Sequence, residues 1–195
     1  NRGLKKSEVK QTFFFNPLDR IGEKPLQVPF NAYARIQKAS APMVFAETFG
    51  YEQKDLHGRL ISGTDQHLIQ AILRDTLGVT FAPLSLLYDY ATGLPNEGIV
   101  IIPIDADDNG KINDEEKSYQ TLLTTLEFLT SKKHKNLPIS EIIFSTKKID
   151  QNTEANKFIT WALSSGLNSL NAFGYLTPDS SSVVKKSENN NNSNK

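Results

Sequence analysis

The amino-acid sequence predicts an α/β fold, because candidate strands and helices alternate along the chain and one continuous apolar run fits a strand covered on both faces. That run is Gly98-Ile99-Val100-Ile101-Ile102-Pro103-Ile104. A sheet flanked by helices is the arrangement that buries such a strand.

In chain order, residues 1–12 are polar and basic (Arg2, Lys5, Lys6, Lys10) and read as an arm or linker. Phe13-Phe14-Phe15, stopped by Asn16-Pro17, has the character of a short buried strand. Pro25 and Pro29 keep the next segment extended or turning. Val44, Phe45, Thr48 and Phe49 recur at helical spacing from Pro42, and Gly50 closes that helix. Ser62-Gly63-Thr64-Asp65 supplies N-cap chemistry for a second helix, whose apolar positions are Leu68, Ile69, Ile72 and Leu73. Gly78 should end it, with Val79-Thr80-Phe81 as a short strand. Leu122, Leu123, Leu126, Phe128 and Leu129 predict an amphipathic helix, and the cations Lys132, Lys133, His134 and Lys135 suit its C-terminus. Ile139 and Glu141-Ile142-Ile143-Phe144 form a further strand candidate. Phe158, Ile159, Trp161, Ala162 and Leu163 mark a last helix ending near Gly166, with Trp161 expected in the core. Residues 13–178 are thus expected to form the α/β domain, and 179–195, rich in Ser, Asn and Lys, a disordered tail.

Lys+Arg and Asp+Glu balance at 22 each, which argues against a nucleic-acid or anionic-membrane binder. The absence of cysteine excludes thiol catalysis and a disulfide framework, and fits an exported protein of the bacterial envelope, although many cytosolic proteins also lack it. No apolar run approaches the ~20 residues of a membrane-spanning helix. A start at Asn1 without an apolar leader is expected of a processed, trimmed or partial chain.

The most specific local pattern lies in residues 105–116, which predict a calcium loop of the EF-hand type. Ca²⁺ takes six to eight oxygens, and an EF-hand loop supplies them at fixed spacing. Asp105, Asp107 and Asn109 stand at positions one, three and five, and Gly110 at six allows the sharp turn. Lys111 offers its backbone carbonyl at seven, Asn113 stands at nine, and Glu116 closes the set with a bidentate carboxylate at twelve. Ile112 at eight anchors the loop to the core. A strand enters this single loop in place of a helix, which favours a structural site over a sensor that opens on binding.

Three segments carry a resemblance over most of residues 12–178. Arg35-Ile-Gln-Lys-Ala-Ser-Ala-Pro42 with Phe45 looks like an R-x-D-G-S-G-T segment leading into a helix. Ser62-Gly63-Thr64-Asp65, followed by Ala71-Ile72 and Asp75-Thr76-Leu77-Gly78-Val79-Thr80-Phe81, is similar to G-N-x-G…A-V…T-x-G-x-I-G-Y. Phe158-Ile-Thr-Trp-Ala-Leu163 with Gly174-Tyr175-Leu176-Thr177-Pro178 resembles F-x-x-W-x-L…G-Y-x-P. In this order they resemble the phosphate-binding proteins of bacterial phosphate ABC transporters, of the class II periplasmic-binding-protein fold. The calcium loop is an insertion relative to the simplest members.

The resemblance implies a non-catalytic receptor in the periplasm or cell envelope. It would close on phosphate or a related oxyanion and dock to a transporter permease. Arg35 falls on the family Arg and is a fork donor able to clamp an oxyanion. Ser40 adds a hydroxyl at a helix start, and Thr64 and Asp65 are placed to line the same cleft. The departures are specific. Gln37, Lys38, Ala39, Ser40 and Ala41 replace D-G-S-G-T in the gap-free register; a one-residue shift aligns Ser40 with the family Ser but puts Ala41 and Pro42 on G-T. Pro42 has no N–H to donate. The family's N-terminal part, with half of its anion site, has no counterpart. Arg35 pairing with a structural carboxylate, Ser40 acting as a cap, and N-capping by Thr64 and Asp65 explain the same residues. The alternative is therefore a binding-protein lobe reused as a structural or interaction subunit of an envelope assembly. No G-x-S-x-G, P-loop or H-E-x-x-H occurs, His57, His67 and His134 are isolated from one another, and nothing in the sequence argues for an enzyme.

Overall fold

The computed structural model describes residues 3–14, 22, 30–105, 109–114, 116–131, 138–144 and 154–177. The chain divides into two compact units, Asn1–Ser140 and Glu141–Lys195. The first unit is mixed α/β, as the alternation of elements predicts. Its described elements are β1 (Leu4–Lys5), α1 (Lys6–Phe13), β2 (Asn31–Arg35), α2 (Ser40–Thr48), β3 (Arg59–Ile61), α3 (Asp65–Ile72), β4 (Gly78–Val79), β5 (Ile104–Asp105) and α4 (Leu122–Thr130). Every named strand pair is parallel: β3-β2-β4 form one sheet and β1-β5 another.

Strand β2 organises the unit. From it the chain passes through α2 to β3 on one side, then through α3 to β4 on the other. Parallel crossovers are right-handed, so two connections running in opposite directions place their helices on opposite faces. Alternation along the strand matches this. Ala32 and Ala34 face a core made with Val9, Phe13, Phe14, Phe45, Ala46 and Leu56. Small alanines let α1 and α2 approach closely, and the space above them is filled by rings. Phe45 is the hub, with ring centroids 4.0 Å from Phe81, 5.1 Å from Phe49, 5.2 Å from Phe13 and 5.9 Å from Phe14.

The other face of β2 presents Asn31, Tyr33 and Arg35 towards α3, which buries Leu68 completely. Asp75, just beyond α3, collects polar groups from this face. Its Oδ2 accepts from Asn31 Nδ2 and the Tyr33 hydroxyl at 2.9 Å each and from Arg59 Nη1 at 3.1 Å, while Oδ1 accepts from the Leu77 N–H at 3.1 Å. The Tyr33 hydroxyl first, then the Leu77 and Asn31 N–H groups, hold its carboxyl below the ordinary carboxylate range. The stabilisation from a depressed carboxylate is complete above its unfolded pKa of ~3.9 and is lost as pH falls through the lower folded value. In acid titrations followed by urea melts, Asp75→Asn should therefore be less stable than the parent at pH 7 and lose less on going below about pH 4. Equal pH slopes for the two proteins would contradict the network.

Several elements depart from the sequence expectation. The stretch read as a polar arm forms β1 and α1, because Val9 and Phe13, four residues apart, line one side of a helix and reach the core. Phe13 and Phe14 are not a strand: Phe13 ends α1, and Phe14 makes only an isolated bridge to Leu56. Phe15 lies outside the described residues. Residues 99–103 of the long apolar run form no strand, although the Pro103 carbonyl accepts from the Leu4 N–H of β1, and Val100 is 81% exposed. Gly98 turns the chain at φ +79°, Pro103 offers no N–H, and only Ile104 and Asp105 join a ladder, with β1. Gly78 opens β4 instead of closing α3.

The second unit contains α5 (Glu154–Ala162) and a 3₁₀ segment, Ser165–Phe173, closed by Gly174 in the left-handed conformation. Residues 141–144 form no strand, and Ile142 and Ile143 are 62% and 71% exposed. Trp161, expected in the core, is 54% exposed and packs beside Phe158. Pro178 and the polar tail lie outside the described residues.

Candidate functional site

The parallel register of β2 and β3 sets Arg35 beside Ile61, so the loops that leave the two strands start side by side. Residues 36–39 lead into α2 and residues 62–64 into α3. This is the carboxyl edge of a parallel sheet, the usual place for ligands in α/β folds. Arg35 Nη1 is 3.2 Å from Asp65 Oδ1, with the two side chains only 16% and 18% exposed. The contact uses one nitrogen of the fork. Arg35 Nε is buried and has no hydrogen-bond partner, an arrangement that costs free energy in a finished protein interior.

Of the four residues singled out for an oxyanion, Arg35 and Asp65 are therefore in direct contact. Ser40 is the first helical residue of α2, exposed, with Ala39 rather than Ser40 as the N-cap. A capping role for Ser40 is thus corrected: its backbone is already helical. Thr64 is the N-cap of α3, but its N–H and hydroxyl both meet His67 Nδ1, at 3.1 and 2.9 Å. A backbone N–H only donates, so Nδ1 accepts and the Thr64 hydroxyl donates to it as well.

Two carboxamides that the sequence did not flag tie these loops together. Gln37 Oε1 accepts from the Gly63 N–H at 3.0 Å, and Gln37 Nε2 donates to Ser62 Oγ at 2.8 Å. Gln53 Nε2 donates to the Gln37 carbonyl at 2.9 Å, and Gln53 Oε1 accepts from the Ala39 N–H at 3.4 Å. Only the position of Gln37, two residues past Arg35, hinted at this. Its partners lie 25 and 26 residues further on.

The segment whose spacing predicts a calcium loop begins at the end of β5. Asp105 is fully buried and Glu116 is 2% exposed. Asp105 Oδ1 accepts from the Asn109 N–H at 3.1 Å and Oδ2 from the Gly110 N–H at 2.7 Å. Asn109 Oδ1 accepts from the Lys111 N–H at 2.8 Å. Asn113 and Glu116 exchange side-chain-to-backbone bonds of 3.0 Å in both directions. Gly110 turns at φ +84°. Ile112 lies against Gly3, where an added Cβ would come within 2.4 Å of Ile112 Cδ1. Asp107 lies outside the described residues. Among those described, no three His, Cys, Asp or Glu side chains form a metal-sized group.

The donor chemistry nevertheless fits a hard cation: two nearly dry carboxylates in one short loop need positive charge nearby. Lys5 is paired in register with Asp105, and its ammonium lies 3.7 Å from where a Gly110 Cβ would be. An open polar groove of about 530 Å³ beside the loop is lined by Asp114, Lys117, Ser118, Thr124 and Glu127 among others and includes none of the strand-end residues.

His57 donates its backbone N–H to the Phe13 carbonyl at 2.7 Å, and His134 lies outside the described residues. No described helix is long and apolar enough to cross a membrane. No family model matches the chain, and no curated protein or solved structure is significantly similar to it.

Proposed function

We propose that this chain is a non-catalytic solute-binding domain for phosphate or a related oxyanion, of the class II periplasmic-binding-protein kind, with an inserted structural calcium loop. The observation that carries this reading is Arg35. Its guanidinium sits at the carboxyl end of β2, engages Asp65 through one nitrogen, and keeps a buried Nε without an acceptor. An oxyanion accepts from such a fork and also tolerates the nearby Asp65 when it carries a proton of its own. The exposed Ser40 hydroxyl and the N–H groups of Ser40 and Ala41, which have no intrahelical acceptor, supply further donors; Pro42, next in the turn, has none. The motif resemblance supports the same assignment. In this reading the protein works in the periplasm or cell envelope, binds by hinge closure, and delivers its cargo to an ABC transporter permease.

One observation favours the second reading, a binding-protein lobe reused as an interaction subunit. The loop amides of Ala39 and Gly63 are already satisfied by Gln53 and Gln37.

Thermal melts in phosphate, sulfate and acetate separate the two. A solute-binding domain gains stability as RT ln(1 + [L]/Kd), about 2.7 kcal/mol at a hundred times Kd, and Arg35→Ala loses that gain. An interaction subunit melts at the same temperature in all three anions.

A further inference from the structure

The hydrogen bonds around Gln37 have only one consistent direction. The Gly63 N–H can only donate, so the carboxamide oxygen of Gln37 faces it. The carboxamide nitrogen then faces Ser62, 2.8 Å away, and it too can only donate. Ser62 Oγ is therefore an acceptor in this contact, and its own proton remains to be given elsewhere. The Ser62 hydroxyl is one residue past Ile61, the register partner of Arg35, and three residues before Asp65, which holds the Arg35 fork. Gly63 is needed for this arrangement. It sits at φ +126°, and a Cβ there would come within 2.7 Å of the His67 ring.

From this polarity we infer that Ser62 is an anion-binding donor on the α3 side of the Arg35 site, and that Gln37 is the positioning residue that fixes it as a donor. The inference rests on the oxyanion reading above and deepens it. With Gln37 on one of its two lone pairs, Ser62 keeps its proton to give to an unprotonated oxygen of the ligand. Thr64, by contrast, is engaged with His67 at the start of α3. The site thus has a position for a bare oxygen beside Ser62, and Asp65, beside Arg35, as an acceptor for a ligand proton. A partly protonated oxyanion satisfies both; sulfate satisfies only the first.

The test is a calorimetric titration of the full chain with inorganic phosphate, using Ser62→Ala, Gln37→Glu and the two combined. Glu keeps the length of Gln but offers only acceptors, so it captures the Ser62 proton. Ser62→Ala is expected to weaken phosphate about tenfold, as loss of one hydrogen bond to a charged ligand does. In the Gln37→Glu background the same change should cost nothing, because the donor is already withdrawn. Melts of the unliganded variants identify any that fail to fold, and Ser62→Gly serves as a second variant. Phosphate affinity unchanged in Ser62→Ala, while Arg35→Ala abolishes binding, overturns the inference and leaves the oxyanion reading standing. An equal Ser62→Ala penalty in both backgrounds overturns the positioning role of Gln37. Absence of binding of phosphate, sulfate and acetate alike by the parent protein overturns the oxyanion reading itself, and the inference with it.

Discussion

Replacing Phe45 by alanine is expected to remove about 3–5 kcal/mol of stability, the range for a buried phenylalanine whose cavity cannot collapse. Phe45 is 7% exposed and its ring contacts four others, two of them, Phe13 and Phe14, from the far side of the cluster. The alanines beneath it on β2 are too small to move into the gap. Edge and offset ring contacts add about 0.5–1.5 kcal/mol per pair beyond simple burial. Because a domain of this size has only about 5–15 kcal/mol in total, the variant should be near its unfolding threshold at 37 °C. Urea denaturation measures the effect: the midpoint falls while the slope m is unchanged. A loss below about 1 kcal/mol would mean that α1, α2 and the segment at Phe81 do not share one core.

Calcium is expected to have the second largest effect. Asp105 and Glu116 are almost dry, and a bound cation would offset the cost of burying their charges. At a hundred times Kd the ion adds about 2.7 kcal/mol, which for a chain of this length raises Tm by roughly 5–10 °C. Glu116→Gln removes the bidentate carboxylate at position twelve and should abolish the rise. Magnesium should not replace calcium, since its smaller, strictly octahedral shell does not suit such a loop. Differential scanning calorimetry in calcium, magnesium and chelator reads this directly. Identical melting in calcium and chelator would leave the loop as a hydrogen-bonded turn.

How much of this was legible in the sequence depended on the range of the interactions. Helices α2, α3 and α4 announced themselves through apolar residues at 3.6-residue spacing, a signal contained within each segment. The pattern that predicts a calcium loop is equally local, and among its described residues Asp105 and Glu116 accept from backbone N–H groups within the same segment. Helix α1 was missed because Val9 and Phe13 are embedded among Lys6, Glu8, Lys10 and Gln11, and their burial is supplied by partners on β2 and α2. The apolar run at 98–104 was over-read, since composition cannot say whether a strand has neighbours. The candidate site was half legible. Arg35 stood out by its motif, yet its partner Asp65 is 30 residues away, and Gln37 meets Ser62 across the parallel register of β2 and β3. Such pairs exist only once the strands align.

The central claim is that an oxyanion binds at Arg35. Calorimetric titration of the calcium-saturated protein with inorganic phosphate tests it most directly. One-to-one binding that disappears in Arg35→Ala, with the variant still folded, is the predicted result. No heat of binding from the folded parent protein, or binding that survives Arg35→Ala unchanged, would contradict it.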